Sequence, residues 1–274
     1  MEQMRADIRP SPIAGKWYPG NARRLTASVD ALLAGASIEW VSDKPVRGLI
    51  VPHAGHRYSG PVAAVAFKAV AGAAYERVVI LSPYHNLHAG DVITTAHSGY
   101  ETPLGTVPVD TNFIGALAGR VRLTRVRHDP EHAVEIELPF LQRTLIEGWK
   151  LVPIMLRNQS LDMVELLGDA LAELADDHTL LIASSDLSHF YPDEMARRLD
   201  RIMLDQVKAM DPAGVIQAEE RGKAFACGRG AIAAVLRAAQ GMGATEARIV
   251  AYGTSGDTSG DRQRVVGYGA AVVQ

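Results

Sequence analysis

Several short runs in this chain consist almost wholly of branched apolar residues, and each stops abruptly. They are 46-VRGLIV-51, 77-RVVILS-82, 150-KLVPIML-156 and 179-TLLIAS-184. A strand with one face in water alternates apolar and polar residues, whereas a continuous apolar run of this length suits a strand buried on both faces. Helical periods separate the runs, at 22–35, 61–73 (opened by Pro61), 111–119, 132–147, 161–175, 193–210, 212–221 and 228–240. Strands alternating with helices imply a sheet covered on both sides. The expectation is an α/β chain: one three-layer α/β/α domain over residues 1–274 with a mixed, largely parallel central sheet. The stretch 91–110 reads as an antiparallel pair turning at Gly99, Pro103 and Gly105, and 248–252 and 265–273 read as closing strands.

Polar residues collect where these runs end. His53 follows the first and His85 the second, about one βαβ unit later, so parallel strands would bring both to one sheet edge. That edge, beyond the carboxyl ends of the strands, is where open α/β sheets bind ligands. The run at 179–184 delivers 183-ASSDLSHFYP-192, which adds Asp186 and His189 if it too is parallel. Neutral imidazole binds zinc, iron and copper, so His53 and His85 are candidate metal ligands. Cys227, in 225-FACGRGAIAAVL-236 just before a helix, is the candidate third. Such a set leaves a position open for water or substrate, as catalytic sites do. Taken alone, each of these residues is more often structural or superficial, and a free cysteine is usually a small buried hydrophobe.

His189 reads as a general acid/base with Asp186 orienting it; helix capping by Asp186 and Ser188 is the alternative. In 128-HDPEHAVEIELPF-140, His132 and Glu135 fall in the first turn of a helix starting after Pro130. His132 could reach the same site, while Glu131 and Glu135 suit a helix N-terminus. The remaining histidines, His56, His88, His97, His128 and His178, read as structural or surface residues. The glycine- and hydroxyl-rich 253-GTSGDTSGD-261 lacks the lysine and spacing of a phosphate loop and reads as a turn or mobile rim over the site.

A net charge of −3 gives no reason to expect nucleic acid or an anionic membrane as partner. No apolar run reaches the roughly 20 residues a membrane span needs. The segment MEQMRADIRPSP lacks the apolar core of a secretory signal, and the single cysteine excludes an intrachain disulfide, so a cytoplasmic location is expected.

The chain resembles the Memo family, whose prokaryotic members are called AmmeMemoRadiSam system protein B. The resemblance runs through 9-RPSPIAGKWYPG-20, 52-PHAGHRYSG-60, 82-SPYH-85, 131-EHAVEIELPF-140, 184-SSDLSH-189, 227-CGRGAI-232 and 255-SGDTSGDRQRVVGYGAA-271. It implies a fold similar to the class III extradiol dioxygenases of the LigB type, which hold iron with two histidines and a carboxylate. By matching motifs, His53 and His85 take the metal-histidine positions, Cys227 the carboxylate position and His189 the acid/base position, with Asp186 and His132 lining the cavity. The family name further implies radical SAM and AMMECR1-like protein partners. Asn86 departs from the pattern, which often has a second histidine there.

A thiolate in place of a carboxylate softens the ligand set and is itself oxidisable, so the resemblance does not license ring cleavage. The leading expectation is one iron or copper ion in a redox or dioxygenase-like protein acting on a small molecule. Alternatives are a partner-binding protein with a regulatory metal site, a zinc hydrolase, and a protein using Cys227 as nucleophile.

Overall fold

A computed structural model describes residues 7–38, 44–87 and 90–274. The first third of the chain forms β1 (Ile8–Arg9), α1 (Ala22–Gly35), β2 (Gly48–Val51), α2 (His56–Lys68), β3 (Arg77–Pro83) and β4 (Val92–Thr95). Next come β5 (Gly99–Thr102), β6 (Gly105–Pro108), α3 (Thr111–Ala118), β7 (Leu123–Val126), a 3-10 turn at Glu135–Glu137, α4 (Leu138–Thr144) and β8 (Lys150–Leu156). Then follow α5 (Leu161–Leu174), β9 (Thr179–Ser184), β10 (His189–Tyr191), α6 (Asp193–Lys208) and α7 (Pro212–Glu220). The chain closes with α8 (Arg229–Gly241), β11 (Ala247–Thr254), α9 (Ser255–Ser259) and β12 (Val265–Val273).

The apolar runs form the centre of the sheet. β2, β9, β3 and β8 lie side by side, all parallel, and every residue of β2 and β9 is buried. Antiparallel strands flank them: β12 beside β2, with β11 and β10 on β12, and β4 beside β8, with β7 parallel to β4. One helix group, α1, α2 and α4, packs mutually, and a second is built around α5 and α8. The sheet separates them, α2 lying on β2, β11 and β12 and α8 on β2, β3 and β9. This is the layered α/β architecture with a mixed sheet that the alternation of runs and helical periods implied.

Register fixes which ends coincide. Val51 pairs with Ser184, and Leu81 with Ala183, so β2, β9 and β3 finish at one level. The segments leaving them carry His53, Asp186 and His85 out of the same edge.

Several local expectations are corrected. The stretch 91–110 is not one antiparallel pair: β4 joins the main sheet, and only β5 and β6 form a hairpin, in a separate small sheet with β1. Gly105 has φ +120°, a conformation that suits glycine in that turn. α2 starts at His56 rather than Pro61. The proline is the sixth residue of the helix, past the first turn, where its missing amide removes one helical bond.

The helix expected over 132–147 reduces to the 3-10 turn and α4, and His132 precedes both. Tertiary bonds override propensity here. Arg9 is buried and ion-paired with Asp129 and Glu135, and it donates to the Glu131 carbonyl. The Asp129 carboxylate accepts from the Glu131 amide. Glu135 therefore serves a buried ion pair, not a helix dipole. Residues 253–261 do not form a rim over the site. They form the end of β11 and α9, closed by a Thr254–Asp257 capping box and held by Arg197 and Arg262 on Asp257.

A candidate metal centre at the strand ends

His53 sits two residues beyond β2, where its amide donates to Asp186 Oδ1 at 2.8 Å. The ring is 2% exposed, with Nδ1 3.0 Å from Ser184 Oγ and Nε2 3.2 Å from Cys227 Sγ. Burial holds the imidazole at about 3, helped by neighbouring His85, so it is neutral at pH 7.

Cys227 reaches this point from the segment ahead of α8. Its amide donates to the Asp186 carbonyl at 3.2 Å, and the next amide, Gly228, donates to Ser185 Oγ at 2.9 Å. Gly228 also allows the close approach of α8 to β9. A Cβ there would stand 2.8 Å from both the Ser184 carbonyl oxygen and Ser185 Cβ. Burial, with the charge of Asp186, pushes the Cys227 thiol well up. A bound cation reverses that preference, because a coordinating thiol is deprotonated outright.

His85 lies at the mouth, with 37% of its side chain exposed. Glu131 orients it: Oε2 accepts from the His85 amide at 2.6 Å and Oε1 lies 2.9 Å from His85 Nδ1, leaving Nε2 for another partner. Oε1 also accepts from the amides of His132 and Ala133 and lies 3.1 Å from His132 Nδ1. Burial alone would raise this carboxyl, but the hydrogen bonds and charge of His85 hold it at about 2. For His85 burial disfavours the cation, yet Glu131 raises it overall. His132 is held at about 3 by burial and by His53.

Ligand atoms of His53, His85 and Cys227 all lie within 4.8 Å of one another. His85, Glu131 and His132 meet the same distance limit, sharing His85, but there the carboxylate is already occupied as a hydrogen-bond acceptor. Over the cluster opens a cavity of about 470 Å³, lined by His53, His85, His132, Asp186, His189, Trp17 and Tyr58 among others. Trp17 covers His132 at a ring separation of 4.1 Å. Asp186 is buried, which raises its carboxyl to about 6, and its carboxylate and carbonyl accept from the amides of His53 and Cys227, tying the two turns together. His189 begins β10, its Nδ1 buried without a partner among the described residues. A larger groove, about 550 Å³ between the β5–β6 hairpin and the end of α4, is lined by no histidine or cysteine.

All six residues singled out in the sequence thus meet around this point, and residues 253–261 do not line the cavity. The other histidines lie elsewhere. His56 is buried between Tyr18 and Phe140, and His97 is bonded to Asp7 and the Arg127 carbonyl. His128 and His178 are exposed, and His88 falls outside the described residues. Asn86 uses its carbonyl to accept from Arg157. Sequence reasoning assigned Glu131 to a helix N-terminus and missed its clamp on His85; its place beside His132 was the available signal. Trp17 was missed as a wall residue, and nothing in its spacing indicates that role.

The profile of the Memo-like protein family matches residues 9–272, nearly the whole chain. The chain belongs to the Memo family. A MEMO1 family protein of Nitrosopumilus maritimus is 34% identical over 96% of this Memo chain and 98% of its own. Another, from Methanopyrus kandleri, is 35% identical over 96% and 98%, and one from Methanococcoides burtonii 36% over 97% and 100%. Among solved structures, an uncharacterized protein of Escherichia coli K12 is similar at 14% identity and a TM-score of 0.46, covering 82% of this Memo chain and 99% of its own. No helix among the described residues is long and apolar enough to cross a membrane.

Proposed function

We propose that this Memo-family protein holds one redox-active metal ion, iron or copper, on His53, His85 and Cys227 and acts on a small molecule in the adjoining cavity. The convergence of two imidazoles and one sulfur within 4.8 Å carries the reading. The donor set fits such an ion: both imidazoles present a nitrogen to the common point, and thiolate with imidazole suits copper and iron as well as zinc. Three protein donors leave a position open toward the cavity.

Bound there, the ion would supply Lewis acidity and one-electron chemistry. The chain's own residues do the rest. His53 stays neutral through burial, and Glu131 fixes the His85 ring. His189, on the cavity wall, holds or delivers a proton, and Asp186, whose carboxyl burial raises to about 6, sets the local charge. Trp17, Tyr58 and His132 bind and orient the substrate and exclude water from one side.

Elemental analysis of protein purified without added metal tests the reading. Iron or copper near one ion per chain, lost in Cys227→Ala, is expected. No uptake above background after reconstitution would remove it. Zinc alone, with O₂-indifferent hydrolysis of ester or phosphate panels, would favour the hydrolase instead.

A further inference from the structure

Behind His53 lies a buried carboxyl for which the proposed function has no use. Glu137 is 1% exposed, on the 3-10 turn that follows His132. Its Oε1 lies 2.8 Å from Ser184 Oγ. The same hydroxyl lies 2.6 Å from the Ala133 carbonyl oxygen and 3.0 Å from His53 Nδ1.

A serine hydroxyl has one proton to give and two lone pairs to accept with. The Ala133 carbonyl can only accept. It makes the shortest of the three contacts, and two oxygens at that separation repel unless a proton lies between them. It therefore takes the Ser184 proton. Both other neighbours must then donate: His53 through Nδ1–H, and Glu137 through a carboxyl O–H. A carboxylate at Glu137 would set two acceptors competing for one proton in a place without water access.

We propose that Glu137 is a neutral carboxylic acid and that, through Ser184, it holds His53 in the Nδ1–H tautomer with the Nε2 lone pair turned toward Cys227. Glu137 and Ser184 are thus positioning residues, acting on the ring from behind. Burial pushes Glu137 well above the usual carboxylate range, and the charge of Asp186 acts in the same direction. A neutral acid orients the ring without adding negative charge behind a site that already contains a sulfur donor. Metal-bound histidines commonly have such a partner on the remote nitrogen. The inference rests on His53 being a ligand and extends that reading to how its ring is prepared.

The test begins on metal-free protein. The infrared difference spectrum of wild type minus Glu137→Gln at neutral pH should contain the carbonyl stretch of a protonated carboxyl; a carboxylate signature in its place overturns the proposal. Long-range proton–nitrogen NMR of the histidine rings, with His53 assigned by its loss in His53→Gln, should show hydrogen on Nδ1. Hydrogen on Nε2 overturns it equally, and this arm needs no variant at position 137. Zinc titration is the third readout. Ser184→Ala should bind roughly 10–100-fold more weakly, while Glu137→Gln, whose amide still donates, stays within a few-fold of wild type. Unchanged affinity in Ser184→Ala contradicts the positioning role. If wild type takes up no ion while the two spectroscopic results hold, the ligand reading has failed and the acid and tautomer assignments stand.

Discussion

Glu131 turns both carboxylate oxygens onto the walls of the cavity, one onto the His85 amide and the other onto two imidazoles and two amides. Replacing it by glutamine keeps the size and removes the charge that aligns His85. Metal affinity should fall by roughly 10–100-fold, the usual range for loss of a partner behind a ligating histidine, as measured by competition with a chromophoric chelator. An unchanged constant would show that His85 needs no such support. His56 offers a pH test away from the ligands. Burial lowers it to about 4, against the bond from its ring to the Ile136 carbonyl, so the folded protein keeps it neutral while the unfolded chain protonates it below its ordinary 6.5. Its contribution is intact above 6.5 and is lost as pH falls from 6.5 toward 4, where the folded group also titrates. The melting temperature of wild type should therefore drop more steeply over that window than that of His56→Gln; parallel curves would refute the assignment. At this scale His53 and His85 were legible because they follow apolar runs directly. Glu131 and Glu137 were not, since an acidic residue near a helix start looks the same whether it faces water or a buried imidazole.

The long buried strands were readable nearly to the residue, because a run such as 151-LVPIML-156 has no solvent-facing position to explain away. Short elements were not: β1, β7 and β10 are too brief to show a period, and they exist because a neighbouring edge offers hydrogen bonds. The shortened helix after Pro130 has the opposite origin, a charge network outcompeting local propensity. Among elements, the approach of α8 to β9 bears directly on the site. Gly228→Ala sets a methyl against a backbone carbonyl and Ser185, and neither can move without shifting Cys227. Overpacking of this kind costs about 1–3 kcal/mol. The variant should unfold at lower urea and also bind metal more weakly, whereas Gly35→Ala, with open space around it, should change neither. Weakened stability with unaltered affinity would mean that the sulfur position tolerates displacement.

Across the whole molecule, Arg9 joins the start of the described chain to the loop bearing Glu131 and His132, while Tyr18 and Ser11 bond the same Glu135. The sequence foretold the layers but not this tie, because an arginine near a terminus ordinarily lies in solvent. Arg9→Met leaves Asp129 and Glu135 buried without their counter-charge, a loss of the order of 3–5 kcal/mol. Urea denaturation should show it directly, and a change below about 1 kcal/mol would mean the network is dispensable. The segment so anchored ends in Trp17, whose carbonyl accepts from the His56 amide and whose indole lies against His132. That contact makes the molecule its own optical probe. Imidazole perturbs indole fluorescence at such range, so emission excited at the tryptophan band should change whenever a compound displaces or covers the stacked pair. The difference between wild type and Trp17→Phe, which keeps Trp40 and Trp149, would isolate the Trp17 signal, and ligands could be screened by light alone before any reaction is known.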